Sequence, residues 1–302
     1  MLKIIGKDGK NYELHKHKLG FLQVFPIPKK SDLSEYYSQK YYQNPTVATY
    51  STQYSLDELY LHYETCKLTN YLYESTFPNT TKSLFDIGCG EGFFMSGLMD
   101  LGWSVSGVDY SRAGVEKHNP SVAPFVIIGE AFDAIDVCIR EQKRFSLVNL
   151  GNVLEHVPDP IILLEKIKTL LLPEGILRVV VPNDNSNLQE LLYKKGLLNH
   201  EWAHIPDHLS YFNFDNLPVV LDATGFKVLN MLADFPVELF LFNEHSNYIH
   251  ANYKGKAAHL SRVMISKLIY ERGMVNYLKW SEGLAASGIG RTCIAFAAVS
   301  NK

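Results

Sequence analysis

The glycine-rich segment LFDIGCGEGFF, residues 84–94, constrains the fold most strongly. An apolar run ends in Asp86, and three glycines follow within five positions, at Gly88, Gly90 and Gly92. Glycine adopts positive φ angles easily and lets a ligand approach the backbone without a Cβ in the way. Between a parallel strand and a helix, such a turn delivers a ligand to the helix N-terminus. The segment therefore predicts the first strand and helix of an α/β domain that binds a nucleotide-like cofactor.

The chain from residue 83 onward alternates short apolar runs with amphipathic segments, which is typical of a parallel sheet covered by helices. This rhythm predicts a Rossmann-like, doubly wound α/β sheet of seven strands. The predicted strands cover residues 83–87, 105–108, 125–128, 146–150, 176–181, 227–231 and 293–299. The predicted helices cover residues 92–101, 112–119, 132–141, 160–171 and 217–224.

Two further regions flank this pattern. Residues 1–75 predict an N-terminal hairpin, formed by KIIG and NYEL, followed by a helical cap in which 10 of the 18 tyrosines fall between residues 34 and 73. Residues 76–302 form the predicted main domain, with a helical insertion at 233–290 before the last strand. We expect that insertion to consist of two helices broken near Gly273.

Composition narrows the range of partners and locations. The formal net charge is -3, from 29 basic and 32 acidic residues, with no basic stripe, so nucleic acid is not expected as a partner. The four cysteines are far apart and predict neither a disulfide framework nor a zinc ribbon. No apolar run approaches the roughly 20 residues of a membrane span, and the N-terminus lacks a signal-peptide pattern. A cytoplasmic protein without a membrane span is the expectation.

The glycine turn departs from the dinucleotide-binding fingerprint. That fingerprint is G-x-G-x-x-G, and Phe93 occupies the place of its third glycine. Asp86 at the strand end would repel a pyrophosphate, whereas it can accept hydrogen bonds from a cationic ligand. DIGCGEGF, residues 86–93, instead resembles motif I of the class I S-adenosylmethionine-dependent methyltransferases. Asp109 in GVDYS resembles the acid that binds the ribose hydroxyls in that family.

This resemblance extends over about residues 80–232 and the last strand, because further motifs recur in the family's order. LVNLGNVLEHVPDP, residues 147–160, is similar to the fourth-strand motif, although Asn149 stands where relatives commonly carry aspartate. The resemblance implies an antiparallel last strand and S-adenosyl-L-methionine as cofactor. The cofactor-binding residues that it implies are Asp86, Gly88, Cys89, Gly90, Phe93, Asp109, Tyr110, Ser111, Glu130, Ala131, Asn149, Leu150 and Gly151.

Three histidines are the candidates for acid–base chemistry. Methyl transfer to a hydroxyl requires removal of its proton, and histidine has a pKa suited to that task. His156 follows the fourth strand, and His204 and His208 lie in the region after the fifth. Each has a structural alternative, such as orienting a loop or, for His156, pairing with Glu155. No metal site is predicted, because the sequence offers too few recognisable ligands.

Segments outside the core motifs also resemble methyltransferases encoded in bacterial surface-polysaccharide clusters. They include FPIPKKSDLSEYYSQKYY, VPNDNSNLQ, WAHIPDHLSYF, DFPVELFLFNEHSNY and the closing GIGR. This narrower resemblance implies O-methylation of a sugar, carried as a nucleotide sugar or glycan intermediate. The alternatives are a small-molecule O-methyltransferase of the ubiquinone-biosynthesis type and a non-catalytic cofactor-binding subunit. An amino-methylating nucleic-acid enzyme would show an NPPY-like motif, which NLGN at residues 149–152 is not.

The flanking regions have two interpretations each. The tyrosine-rich segment is either a lid whose rings face the sulfonium or ordinary half-buried packing. The insertion at 233–290 either covers the acceptor site or lies in a homodimer interface. In both cases the sequence leaves the choice open.

Overall fold

The computed structural model of the protein describes residues 2–29, 33, 53–199 and 203–300. Within these ranges the strands are β1 (Leu2–Ile5), β2 (Asn11–Lys16), β3 (Leu22–Phe25), β4 (Ser83–Ile87), β5 (Ser104–Asp109), β6 (Val126–Ile128), β7 (Phe145–Gly151), β8 (Leu171–Pro182), β9 (Ser210–Tyr211), β10 (Phe226–Ala233) and β11 (Thr292–Val299). The helices are α1 (Leu56–Thr76), α2 (Phe93–Asp100), α3 (Ala113–His118), α4 (Ala131–Arg140), α5 (Pro160–Lys168), α6 (Asn187–Lys194), α7 (Leu217–Ala223), α8 (Gly255–Glu271) and α9 (Met274–Ala286).

Seven strands of the described chain form one sheet in the order β10-β11-β8-β7-β4-β5-β6. The chain runs outward from β4 through β5 to β6, then returns to β7 on the other side of β4. Strand β11 pairs antiparallel with both β8 and β10. The predicted Rossmann-like fold is therefore confirmed, including its antiparallel last strand. The order reverses between β4 and β7, which is where ligands bind in sheets of this kind.

Both faces of this sheet are buried, which explains why its strands read as continuous apolar runs. Neighbouring residues such as Leu84 and Phe85 belong to different core clusters, and Leu147 and Val148 do the same. The cluster on one face includes helices α4, α5 and α7, and the cluster on the other includes α1, α2 and α9. No helix within the described ranges has the length and apolar character needed to cross a bilayer.

A second, smaller antiparallel sheet joins the N-terminal strands to a later part of the chain. Its order among the described residues is β1-β2-β3-β9. The predicted hairpin is confirmed, with Leu2 opposite Leu14. Strands β3 and β9 were not predicted, because each is too short to show a strand period in the sequence. This sheet holds residues 210–211 against the N-terminal segment.

The helical regions follow the prediction in outline. Helix α1 begins with a capping box formed by Ser55 and Glu58 and packs against α2 and α8. The insertion contains α8 and α9, which meet at Gly273 as expected, and α9 packs on β10. The domain boundaries at 75 and 233–290 stay predictions. Five of the predicted cap tyrosines lie outside the described residues: Tyr36, Tyr37, Tyr41, Tyr42 and Tyr50.

Candidate active site

The glycine turn after β4 is built so that only glycine fits its first position. Gly88 has a φ of +71° and is exposed at the strand end. A Cβ added there would lie 2.5 Å from Cγ2 of Val153, closer than carbon atoms can approach. The backbone N–H of Gly88 donates to the carbonyl of Val108 at 2.8 Å, which ties the turn to β5. A ligand can therefore approach the backbone of a turn whose position is fixed.

Asp109 at the end of β5 is held by the same turn. The N–H of Gly90 donates to its Oδ2 at 2.9 Å, and the N–H of Ser111 donates to its Oδ1 at 3.1 Å. Burial raises the pKa of Asp109, and these backbone hydrogen bonds partly offset that increase. Each carboxylate oxygen has two lone pairs, so the group keeps capacity to accept from two ligand hydroxyls. Asp109 is thus oriented as a ribose-binding acid would be.

Asp86 is more deeply buried than we expected for a residue predicted to contact a cationic ligand. The residue is 2% exposed, and its Oδ1 accepts a hydrogen bond from Nδ2 of Asn149 at 2.7 Å. Oδ1 of Asn149 in turn accepts from Nη1 of Arg178 at 2.8 Å. Burial raises the pKa of Asp86 to about 7, against the lowering effects of Asn149 and Arg178. The three side chains form a buried chain of hydrogen bonds beneath the glycine turn.

This chain accounts for the asparagine at position 149. An amide both donates and accepts, so Asn149 can join a carboxylate to a guanidinium, whereas an aspartate there would face Asp86 with like charge. Arg178 was missed by the sequence analysis. Its signal is a lone arginine within the apolar run ILRVVVP of a buried strand, where an unpaired charge is not tolerated. The guanidinium also lies 4.8 Å from the ring centroid of Phe94.

The remaining predicted cofactor residues lie at the ends of the same neighbouring strands. Glu130 uses its carboxylate to cap α4, accepting from the N–H groups of Phe132 and Asp133 at 3.0 and 3.3 Å. By position, Cys89 and Gly90 lie in the turn, Phe93 begins α2, Tyr110 and Ser111 follow β5, Ala131 begins α4, and Leu150 and Gly151 end β7.

An aromatic group from the N-terminal region covers one side of the glycine turn. The hydroxyl of Tyr54 donates to Oε2 of Glu91, whose Oε1 lies 3.3 Å from Nε2 of His118. The ring of Phe93 stacks on His62 with centroids 4.5 Å apart, and Tyr54 meets Phe93 edge-on at 5.0 Å. The segment leading into α1 therefore contacts the predicted cofactor turn. Tyr54 was named only as part of a tyrosine-rich segment, and His62 and His118 were missed.

The three predicted catalytic histidines come together at the ends of β7 and β8. The ring centroids of His156 and His208 are 4.8 Å apart, and those of His204 and His208 are 5.5 Å apart. Nδ1 of His156 lies 2.5 Å from the carbonyl oxygen of Asp207. The loop containing His156 is joined to the loop containing His208, because the carbonyl of Glu155 accepts from the N–H of Leu209 at 2.7 Å. We call His156, His204 and His208 the histidine cluster.

Buried acids surround this cluster. Glu155 is 1% exposed, and burial raises the pKa of its carboxyl to about 8. Burial alone would also raise the pKa of Asp184, but His208 and the guanidinium of Arg291 hold it below its usual value. Nη1 of Arg291 donates to Oδ1 of Asp184 at 2.9 Å. Asp184 and Arg291 were not predicted as site residues, although they lie in VPNDNSNLQ and GIGR, two of the segments that resemble surface-polysaccharide methyltransferases.

The glycine turn and the histidine cluster lie on the same edge of the sheet. Strands β4 and β7 are parallel neighbours, with Asp86 opposite Asn149, so their carboxyl ends are adjacent. Val153, three residues before His156, packs directly over Gly88. The arrangement combines an approachable backbone and an oriented carboxylate on one side with proton-accepting groups on the other.

Comparison with known proteins decides the family. A family model described as a methyltransferase domain matches residues 58–230, more than half of the chain. The chain belongs to this methyltransferase family. Among solved structures, the plantazolicin methyltransferase BpumL, in complex with a monoazolic desmethylPZN analog and SAH, has a TM-score of 0.52 at 15% identity, covering 89% of this chain and 96% of that one. That likeness is one of fold.

Curated relatives of this methyltransferase match only in part. An enzyme of Paraburkholderia phymatum named ubiquinone biosynthesis O-methyltransferase is 35% identical over 98 residues, which are 32% of this chain and 42% of that protein. An enzyme of the same name from Coxiella burnetii is 28% identical over 155 residues, which are 50% of this chain and 65% of that protein. The chain thus spans less than two thirds of the length of these relatives.

The strand-end residues of the methyltransferase fit S-adenosyl-L-methionine as cofactor. Asp109, for which the family resemblance predicts a ribose contact, is fixed by backbone N–H groups at the end of β5. Gly88 leaves the backbone of the turn open to a ligand, in a space where any Cβ would meet Val153. Tyr110 and Ile128, at the ends of the adjacent strands β5 and β6, are 47% and 57% exposed and offer apolar surface for a base.

Proposed function

We propose that this methyltransferase transfers a methyl group from S-adenosyl-L-methionine to an oxygen atom of a small-molecule acceptor. The observation that carries the proposal is the packing of Val153 on Gly88, which joins the loop of His156 to the cofactor turn. The oriented acid and the histidine cluster thereby face one edge of the sheet. When bound, the cofactor supplies a methyl group that is already activated by its sulfonium.

The chain's own residues would position the reactants and handle one proton. Asp109 holds the cofactor ribose, and the glycine turn admits the cofactor to the backbone. The histidine cluster lies where the acceptor hydroxyl would lose its proton, a contribution worth about 10²–10⁴ in rate when such a group is well placed. Tyr54 and its neighbours cover the turn on the opposite side, which fits the lid interpretation of the N-terminal segment.

A sugar hydroxyl is the acceptor that we favour. The partly exposed rings of His156, His204 and His208 make this side of the site polar, which suits a ligand with several hydroxyl groups. The segments that carry the resemblance to surface-polysaccharide methyltransferases also supply His204, His208, Asp184 and Arg291. A role in polysaccharide biosynthesis, a cytoplasmic location and a homodimer stay predictions.

A phenolic acceptor is the second candidate, and the names of the curated relatives favour it. A non-catalytic subunit is the third. Incubation of the purified protein with methyl-labelled cofactor, first with nucleotide sugars and then with catechol-type phenols, separates the three. Label transfer to a sugar oxygen is the expected result. Transfer only to phenols would show that the acceptor is a phenol and not a sugar. Cofactor binding without transfer in either panel would support a non-catalytic subunit.

A further inference from the structure

Glu155 presents a buried carboxylate for which the described residues supply no hydrogen bond. Its side chain is 2% exposed, and neither Oε1 nor Oε2 has a partner in that part of the chain. Burying a carboxyl group without a hydrogen-bond partner costs free energy whether or not the group is charged, so buried acids are usually paired or bound to a metal ion. A cation at this point would satisfy both oxygen atoms.

His156 is oriented so that one ring nitrogen faces this carboxylate. A carbonyl oxygen can only accept a hydrogen bond, so the contact with Asp207 places the hydrogen of the neutral ring on Nδ1. Nε2 then carries the lone pair, and it lies 3.8 Å from Oε1 of Glu155. Metal-binding histidines are commonly held in this way, with the ring nitrogen remote from the metal donating to a carbonyl or carboxylate.

His208 contributes the third atom. Its Nδ1 is buried, has no hydrogen-bond partner among the described residues, and lies 3.8 Å from Oδ2 of Asp184. The backbone of His208 is fixed on both sides: its N–H donates to the carbonyl of His204 at 2.8 Å, and its carbonyl accepts from the hydroxyl of Tyr211 at 3.1 Å. A buried nitrogen that is held in place without a hydrogen bond, as this one is among the described residues, is suited to bind an external ligand.

Backbone contacts hold these groups together independently of any ligand. The carbonyl of Glu155 accepts from the N–H groups of Leu209 and Ser210 at 2.7 and 3.1 Å. Ser210 in turn pairs with Gln23 of β3. The loop after β7 and the loop before β9 are therefore joined at the positions that carry the three side chains.

One ligand atom from each of Glu155, His156 and His208 lies within 4.8 Å of the other two. In tetrahedral geometry, two ligand atoms at about 2.1 Å from a shared ion are ~3.4 Å apart, so a pair separated by 4.8 Å has to close by about 1.4 Å. The side chain of His156 is 33% exposed, against 2% for Glu155 and 13% for His208, so it is the least closely packed of the three. We propose that these three residues bind a divalent transition-metal ion such as Zn²⁺. Two imidazoles and one carboxylate leave a coordination position open for an oxygen ligand.

The role of this ion rests on the proposed function. A divalent cation at the open position would bind the acceptor hydroxyl, orient it and lower its pKa. His204 is not among the three ligands, and its ring lies 5.5 Å from that of His208. It is the histidine left to accept the hydroxyl proton. The cluster would thus divide into two metal ligands and one base.

The test is metal binding by the full chain, purified without a histidine tag and treated with a chelator. Titration calorimetry with Zn²⁺, and the visible absorption of Co²⁺ as a second probe, should show one ion bound per chain. Loss of an outer-sphere partner alone often costs 10–100-fold in affinity. We therefore expect Glu155→Gln and His208→Gln each to weaken binding at least ~100-fold.

Two histidine variants serve as controls. His204→Gln changes a histidine of the same cluster that is not a proposed ligand. His259→Gln changes a histidine of α8 that pairs with Glu58 at 2.8 Å. Both should keep one tight ion per chain. Absence of stoichiometric binding, or binding that Glu155→Gln and His208→Gln leave unchanged although both variants unfold cooperatively, would overturn the proposal.

Metal-free protein separates this inference from the proposed function. S-adenosylhomocysteine should bind to it with unchanged affinity, while methyl transfer should fall at least ~10-fold and return on addition of Zn²⁺. Full transfer by metal-free protein would overturn the metal site and leave the methyltransferase function standing. Tight metal binding through these residues without transfer to either acceptor panel would contradict the proposed function and retain the site.

Discussion

The glycine turn and the histidine cluster share one edge of a sheet but are assembled from the chain in different ways. Residues 86–111, a single strand-helix-strand unit, supply most of the turn and its acid. The cluster and its acids come from four separate segments, at residues 155–156, 184, 204–208 and 291. A site built within one unit leaves a motif in the sequence, whereas a site built from distant loops leaves only its individual residues. Substitutions can therefore disable the glycine turn and the histidine cluster separately.

Gly88→Val should have the largest effect, and that effect should be limited to cofactor binding. A valine at a φ of +71° is strained, and its Cβ would lie 2.5 Å from Val153. We expect binding of S-adenosylhomocysteine to fall at least ~1,000-fold in calorimetric titration. Gly255→Ala is the matched control, because a Cβ at Gly255 meets nothing within 4 Å. Retained affinity in the valine variant would mean that the turn is not the cofactor site.

Much of the glycine turn could be predicted, because it is built from residues that are close together in the sequence. The glycine spacing, the acid at the end of β5 and all seven strands of the main sheet could be predicted, because each depends on short-range pattern. The contact of Asp86 with Asn149 and Arg178 could not, because it joins three strands side by side. Its signals were two exceptions to a pattern: an asparagine where relatives carry aspartate, and an arginine in an apolar strand.

The histidine cluster shows the opposite balance. All three histidines could be predicted as candidates from their places after the fourth and fifth strands, and the structure brings them together. The contacts of Asp184 near these histidines join two segments, VPNDNSNLQ and GIGR, whose roles could not be predicted from the sequence. Asn183 donates to the carbonyls of Gly288 and Gly290 at 3.2 and 2.9 Å, and Asp184 binds Arg291. Only the fold places residues so far apart in sequence side by side.

His156→Ala should lower the rate of methyl transfer and leave cofactor binding nearly unchanged, the opposite of the pattern expected for Gly88→Val. It removes a ring from the histidine cluster and touches none of the residues that hold Asp109. We expect the methyl-transfer rate to fall about 100-fold, with affinity for S-adenosylhomocysteine changed less than about threefold. Single-turnover assays and titration on one preparation would measure both. A variant with full rate would show that His156 takes no part in methyl transfer.

Asp86→Asn should change the pH dependence of stability. The pKa of Asp86 is raised by burial from 3.8 to about 7, so its stabilising contribution is complete below pH 4 and is lost as pH rises through 7. The wild-type free energy of unfolding should therefore decline by about 2 kcal/mol more between pH 5 and 7 than that of the variant. Urea unfolding at each pH measures the difference. Parallel profiles would show that Asp86 is charged throughout this range.

Tyr54→Phe should have the smallest effect. It removes the hydrogen bond to Glu91 and keeps the ring that lies against Phe93. The net value of such a bond is about 0.5–1.5 kcal/mol. We expect affinity for S-adenosylhomocysteine to fall about two- to tenfold if the segment covers the bound cofactor, with the rate of methyl transfer unchanged at saturation. An unchanged affinity would favour simple packing over a lid.

The most direct test of the account is calorimetric titration of the wild-type protein with S-adenosylhomocysteine and, separately, with NAD. The oriented Asp109, the open backbone at Gly88 and Phe93 in place of a third glycine predict one tight site for S-adenosylhomocysteine and no measurable binding of NAD. Tighter binding of NAD, or no binding of either ligand, would contradict the assignment of the glycine turn as a methyl-donor site.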